Sequence, residues 1–131
     1  MEHKEYYFTK VLSIDFNSAI DKVTGELKKE GFGILTEIDV KATMKDKLDV
    51  EFRNYKILGA CNPPYAFKAI SSEDKIGTML PCNIVVQEHQ PGKVEVTAVD
   101  PIASMMAIQN RDLEPIVLEV QGKLKRVIEN L

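Results

Sequence analysis

Two short segments of the chain carry the same pair of chemically useful residues. Cys61-Asn62 lies in ILGACNPPY at 57–65, Cys82-Asn83 lies in TMLPCNIVV at 78–86, and each pair has an adjacent proline. The chain has no other cysteine. A thiolate is a nucleophile, a metal ligand and a redox group, and a carboxamide offers two donors and an acceptor. If the fold brings the two pairs together, they form a candidate site.

Each cysteine has a reactive and a structural interpretation. Cys61 lies where a predicted strand ends and a predicted helix begins, and amide groups at a helix start favour negative charge, so Cys61 is a candidate reactive thiol. Alternatively, it continues the apolar alternation of Tyr55 and Ile57 as a small buried residue. Cys82 falls on the apolar face of its predicted strand, so core packing is its simpler role. In the redox hypothesis Cys82 is the resolving thiol.

The asparagines and the neighbouring proline complete the predicted ligand-binding set. Asn62 and Pro63 are typical of a helix start, because asparagine caps a helix and proline is tolerated in its first turn. Asn83 occupies a predicted strand position. If neighbouring strands bring their ends together, Asn62 and Asn83 converge with the two thiols on one edge of the sheet and can orient a ligand by hydrogen bonds.

Acidic and metal-binding patterns are weak. Glu37 and Asp39 share a predicted strand face, where they are candidates to act as an acid/base pair, bind a cation, or simply be solvated. Structural zinc sites need four ligands with short spacings, and the chain has only His3 and His89 beside its two separated cysteines. We therefore expect no metal site, and nothing in the sequence identifies a cofactor.

Composition limits the class of protein. The chain has 131 residues with 44% hydrophobic and 28% charged residues, which predicts one globular domain over 1–131. The net charge is −3 without a basic stripe, so we expect no nucleic-acid partner. No apolar run reaches the roughly 20 residues of a membrane span, so no membrane partner is expected. The polar start MEHKEYY lacks an apolar signal core, which predicts a cytoplasmic protein with reduced thiols.

Hydrophobic periodicity predicts an α+β fold, a largely antiparallel sheet with helices packed on one face. The predicted strands are 5–13, 32–40, 55–61, 82–89 and 93–99, the last two joined as a hairpin. Along the third strand, alternation places Phe32, Ile34, Ile38 and Val40 on one face. The predicted helix starts are Asp15 or Ser13, Thr43 with Asp46, Asn62, Asp100 and Asp112, and Gly31 ends the first helix.

Two predicted helices are short and carry small apolar faces. The short helix after Thr43 is expected to turn Met44, Leu48 and Phe52 inward. The helix after Asp100 is expected to carry Ile102, Met105, Met106 and Ile108 as a soft apolar stripe, which suits either a core or a methionine-lined pocket or interface.

The segments GILTEIDV, ATMKDKLDV, YKILGACNPP and LPCN resemble the bacterial and archaeal family known as domain of unknown function 302. The similarity extends from about Tyr6 through Asp100 into the C-terminal helix. The resemblance implies a TATA-binding-protein-like fold, β-α-β4-α, and a homodimer. The resemblance does not imply DNA binding, because proteins that share a fold need not share a function. The implied motif positions are Glu37, Asp39, Cys61, Asn62, Pro63, Cys82 and Asn83.

Three functional hypotheses remain open at this point. The first is a small dimeric module that binds a small molecule or a partner near the two Cys-Asn pairs. The second is a thiol redox enzyme or sensor that uses Cys61 and Cys82. The third is a structural or regulatory dimer without a chemical site.

Overall fold

The computed structural model describes residues 1–131 and confirms the α+β fold. The strands are β1 (Glu2–His3), β2 (Tyr7–Leu12), β3 (Gly33–Asp39), β4 (Tyr55–Cys61), β5 (Cys82–Gln90) and β6 (Lys93–Val99). The helices are α1 (Phe16–Lys29), α2 (Val40–Leu48), α3 (Pro63–Ser72), α4 (Pro101–Ser104) and α5 (Glu114–Glu129), with 3₁₀ turns at Asp74–Met79 and Arg111–Leu113. None of these helices combines the length and the apolar character that crossing a membrane requires.

All six strands form one antiparallel sheet in the order β1-β2-β6-β5-β4-β3. The hairpin β5–β6 is confirmed, and Gly92 takes a positive φ of 77° in its turn. β2 pairs with β6 and with β1, so β1 forms one edge of the sheet and β3 forms the opposite edge. The long helices α1 and α5 pack on one face of the sheet. On the opposite face, called the uncovered face below, residues such as Ile38, Ile57 and Val85 are exposed or half-buried.

The core lies between the sheet and these two helices. Alternate residues of the central strands, such as Leu58, Ile84 and Val96, are fully buried against the apolar stripes of α1 and α5. A smaller cluster of Ala69, Ile76 and Leu113 joins α3 and its following 3₁₀ turn to the start of α5. The second cluster extends the apolar interior beyond the end of the sheet.

The boundaries of α1 follow the sequence prediction. The Asp15 carboxylate accepts a hydrogen bond from the Ser18 amide at 2.9 Å, which satisfies a donor in the first turn. Gly31 has a φ of 86°, a conformation that other residues adopt only with strain. Glu30 then ties this helix end to α5, because its carboxylate accepts from the Arg126 guanidinium at 3.0 and 3.1 Å.

The predicted face assignment of β3 is wrong along half of its length. The pairing register shifts between Ile34 and Thr36, so the strand changes phase there. Ile34 lies opposite Ala60 on the helix-covered face, but Ile38 lies opposite Ile57 on the uncovered face and is 49% exposed. A bulge adds one residue to one strand only, which strict alternation cannot anticipate.

The predicted start and packing of α2 are also wrong. Asp39, not Thr43, caps the helix by accepting from the Ala42 amide at 3.0 Å, so helix α2 begins at Val40. Helix α2 buries no residue, and Leu48 is 65% exposed.

The predicted C-terminal helices begin or end elsewhere. Helix α4 has only four residues and stops at Ser104, so Met105, Met106 and Ile108 follow it in irregular structure. The last helix is preceded by a 3₁₀ turn capped by Asn110 and begins at Glu114 rather than Asp112. Helix α3 ends at Ser72 and is followed by a 3₁₀ turn.

The two Cys-Asn segments meet side by side in the sheet. Gly59 lies opposite Asn83 and Ala60 lies opposite Cys82 in the pairing of β4 with β5. The Pro81 ring and the Thr36 hydroxyl fill the space above Gly59: a Cβ built there would lie 2.6 Å from the proline ring and overlap the threonine oxygen. Only glycine therefore allows this packing.

We predict that Gly59→Ala destabilises the fold by about 1–3 kcal/mol, because the proline ring cannot move aside without its backbone. Gly33→Ala is the matched control: Gly33 also lies in a strand, and a Cβ there meets no atom within 4 Å. Urea unfolding of both variants checks this expectation. Equal midpoints for the two variants would show that the packing above Gly59 is loose.

Candidate ligand-binding cavity

An apolar cavity of about 280 Å³ opens where the ends of β4 and β5 meet α3 and α5. Of its 17 lining residues 14 are hydrophobic. The sheet side and its loops contribute Phe32, Leu35, Ala60, Leu80 and Pro81. The helical side contributes Tyr65, Ala66, Ala69, Ile70, Val117 and Val120, with Pro101, Met105 and Ile116 completing the wall. The cavity thus lies at the junction of the two core clusters.

Both cysteines and Asn62 line this cavity. Cys82 belongs to the main core cluster, as predicted for the apolar face of β5. Cys61 does not continue the core face of β4, because Leu58 and Ala60 occupy that face and Cys61 is half-buried beside them. The two thiols are therefore neighbours at one end of the sheet, and both are free.

Burial controls the chemistry of Cys82. Loss of water raises the pKa of its thiol from 9.0 to about 11, and the nearby Cys61 adds to the rise. The neutral thiol therefore dominates at neutral pH, and a thiol in this state is an apolar wall rather than a nucleophile. This environment weakens the role of Cys82 as a resolving thiol.

Asn62 serves a role that differs from helix capping. It stands at the N-cap position of α3, but its side chain makes no capping hydrogen bond. Instead the buried side-chain amide donates to the Glu30 carbonyl oxygen at 3.0 Å and packs against Gly31. Asn62 thus joins the end of α1 to the start of α3 and holds one side of the cavity in place.

The other predicted site residues lie away from this cavity. Pro63 begins α3 and is exposed, and Asn83 is exposed on the uncovered face of β5. On β3, Glu37 accepts from the Lys56 ammonium group at 2.7 Å. Asp39 caps α2. The structure groups Cys61, Asn62 and Cys82 and separates them from these four residues.

Several cavity residues outside the two Cys-Asn segments have a recognisable pattern in the sequence. Tyr65, Ala66, Ala69 and Ile70 recur with helical spacing on one face of α3, which is typical of a face that contacts apolar groups. Leu35 and Ile70 are 67% and 46% exposed although they line the cavity, so they mark its apolar mouth. Their convergence depends on the tertiary fold.

One buried carboxylate lies just outside the cavity. Asp100 accepts hydrogen bonds from His3 Nε2 at 2.8 Å, from Gln121 Nε2 at 3.1 and 3.2 Å, and from the Ile102 amide at 3.0 Å. These partners link β1, α4 and α5. Asp100 thereby fixes Pro101, which lines the cavity.

The cavity is suited to binding by exclusion of water from apolar surfaces. The structure has no group of three or more histidine, cysteine, aspartate or glutamate side chains arranged around a common point. No charged side chain lines the cavity. An apolar molecule gains binding free energy there roughly in proportion to the apolar area that it removes from water.

We predict that Cys82 makes the fold less stable at alkaline pH. The unfolded chain loses the Cys82 proton near pH 9.0, whereas the folded chain keeps it to about pH 11. The stability that Cys82 contributes is therefore complete below pH 9 and falls as the pH rises through this window. Between about pH 8 and pH 11, urea unfolding of the wild type should lose roughly 2–3 kcal/mol more than Cys82→Ala.

Cys61→Ala provides the matched control for this measurement, because it removes a half-buried thiol from the same cavity. Its stability should still fall with rising pH because Cys82 stays buried, by slightly less than that of the wild type because the contribution of Cys61 to the raised pKa of Cys82 is lost. An identical pH dependence for wild type and Cys82→Ala would contradict the assignment of a buried, protonated Cys82.

Comparison with known proteins places this geometry in a family. The family model described as Domain of unknown function DUF302 matches residues 8–131. The crystal structure of uncharacterized conserved protein DUF302 from Bacillus stearothermophilus has a similar fold, with a TM-score of 0.85, 25% sequence identity, and coverage of 94% of this chain and 95% of that chain. No curated protein matches the sequence. The chain therefore belongs to the DUF302 family, as the sequence resemblance indicated.

Proposed function

We propose that this chain is a small, homodimeric, cytoplasmic module that binds a small apolar ligand in the cavity bounded by Cys61, Asn62 and Cys82. The observation that supports the proposal is the cavity itself, about 280 Å³ in volume with an almost wholly hydrophobic lining. Ligand sites are typically concave, mostly apolar and supplied with few polar groups. This cavity is near the lower end of their usual size range, so the ligand is small or enters only in part.

Ligand binding fits the surroundings of the two thiols better than redox chemistry does. A resolving cysteine attacks as a thiolate, and the raised pKa of Cys82 keeps that form rare at neutral pH. The apolar walls around both thiols favour contact with carbon atoms. Reduced cysteines also agree with a cytoplasmic protein.

We expect the wild type to bind a neutral, apolar fluorescent dye such as Nile red with a blue-shifted emission. Ala66→Phe places a ring in the cavity from the half-buried face of α3, so it should weaken dye binding at least tenfold. Ala42→Phe is the control, because Ala42 is exposed on α2 outside this cavity. Dye titration by fluorescence measures both variants.

Two outcomes would contradict the binding proposal. The first is that the wild type does not bind the dye, which would leave the cavity without a demonstrated ligand preference and favour the structural hypothesis. The second is that Ala42→Phe weakens binding as much as Ala66→Phe does, which would place the dye elsewhere. Circular dichroism of each variant confirms that it is folded.

Self-association is supported by the uncovered face of the sheet. A row of uncharged residues crosses five paired strands there. Ile38, Ile57, Val85 and Thr97 in this row are exposed or half-buried, and Thr9 at its end is buried. Five strands about 4.8 Å apart, with seven residues at about 3.3 Å each, give a face of roughly 24 by 23 Å. The flat area of this face is roughly 550 Å², without the additional area that side chains contribute. A standard interface buries about 800 Å² per partner. A second copy of the chain fits such a face.

We predict that the wild type sediments as a dimer, at twice the 14.7 kDa chain mass. Val85→Lys should shift the equilibrium to the monomer by at least tenfold, because a twofold interface brings the two introduced charges together. Ser71→Lys is the control, since it adds the same charge at an exposed position of α3. A monomeric wild type, or a dimer that Val85→Lys leaves intact, would contradict the use of this face.

A further inference from the structure

A second cavity of about 490 Å³ adjoins the first one. Met105 and Val117 belong to the walls of both cavities, and both side chains are half-buried. The wall on the solvent side includes Met106, which is 78% exposed, and Leu118, which is 52% exposed. Met105 and Val117 therefore form an apolar wall shared by the two cavities, between the end of the sheet and the surface beside α5.

The second cavity differs from the first in having charged residues in its wall. These are Arg111, in the 3₁₀ turn before α5, and Glu114, in the first turn of α5. The Arg111 guanidinium makes no ion pair within 4.0 Å, although the chain forms many such pairs elsewhere. An exposed, unpaired cation thus borders a cavity whose lining is otherwise mostly hydrophobic.

We propose that the two cavities together hold one elongated aliphatic carboxylate. Its hydrocarbon chain occupies the first cavity and passes Met105 and Val117, and its carboxylate faces Arg111. This inference rests on the proposed function and specifies the class of ligand. A guanidinium binds a carboxylate with charge-assisted and often paired hydrogen bonds, so the head group and the apolar path are matched to one molecule.

Glu114 lines the same cavity, and its negative charge repels a carboxylate there. It lies in the first turn of α5, where the amide groups of the helix offset part of its negative charge. An alkyl ammonium held by Glu114 would meet both Arg111 and the positive end of the helix, so the carboxylate is favoured.

Cavity size sets the chain length at which both cavities are needed. If each methylene is about the size of a water molecule, roughly 30 Å³, the first cavity of 280 Å³ holds about nine such groups. Longer chains must extend past Met105 and Val117. Each methylene that leaves water strengthens binding about fourfold.

The test is displacement of Nile red by octanoate, dodecanoate and hexadecanoate below their micelle concentrations, with dodecanol as the uncharged comparison. We expect dodecanoate to bind more tightly than octanoate and more tightly than dodecanol. Arg111→Gln should weaken dodecanoate binding about tenfold or more and leave dodecanol within twofold. Lys22→Gln, which removes an exposed cation from α1, should leave both unchanged.

Ile108→Phe tests the use of the second cavity. It should abolish the gain of dodecanoate over octanoate while the dye still binds, because the half-buried Ile108 lines the second cavity and not the first. If dodecanoate and dodecanol bind equally to the wild type and to Arg111→Gln, the carboxylate assignment is overturned. If the length gain survives Ile108→Phe, the use of the second cavity by the alkyl chain is overturned. Absence of dye binding by the wild type would instead overturn the proposed function itself.

Discussion

The packing of the Pro81 ring and the Thr36 side chain above Gly59 is the constraint on which the rest of the structure depends. This packing leaves no room for a Cβ on β4. Thr36 of β3 and Pro81, which precedes β5, can therefore approach β4 closely only because residue 59 is glycine. Once they do, Ala60 lies opposite Cys82 in the sheet. A shift of one residue in this register would move each side chain to the other face and remove Cys82 from the core.

The cavity persists because its walls are held by contacts that lie outside it. Asn62 donates to the Glu30 carbonyl oxygen, and the Glu30 carboxylate accepts from Arg126, so the ends of α1, α3 and α5 are joined around one residue. Asp100 joins β1 and α5 on the other side. An unfilled apolar cavity lowers stability in proportion to its volume. A ligand that fills this cavity therefore stabilises the fold as it binds.

Local rules predicted most of the fold and little of the site. Helical spacing with Asp15 and Gly31 defined α1, and alternation identified the central strands. The bulge at Ile34 and Thr36 was not predicted because it depends on how two strands pair. The hydrogen bond of Asn62 was not predicted because its partner, Glu30, is 32 residues away along the chain. Residue types and the family resemblance together indicated seven candidate site residues. The tertiary structure brings three of them to one cavity, which the apolar faces of α3 and α5 complete.

The repeated Cys-Asn pair is best explained by geometry rather than by shared chemistry. Because the two pairs lie one residue out of register on antiparallel strands, Asn62 turns inward to Glu30 whereas Asn83 stays exposed on the uncovered face. The cysteines meet only at the cavity. A protonated thiol is small, polarizable and weakly hydrogen-bonding, so it can border an alkyl chain without the desolvation cost that a hydroxyl or a carboxylate would incur there. The same burial that raises the pKa of Cys82 thus makes this end of the sheet suitable for apolar ligands.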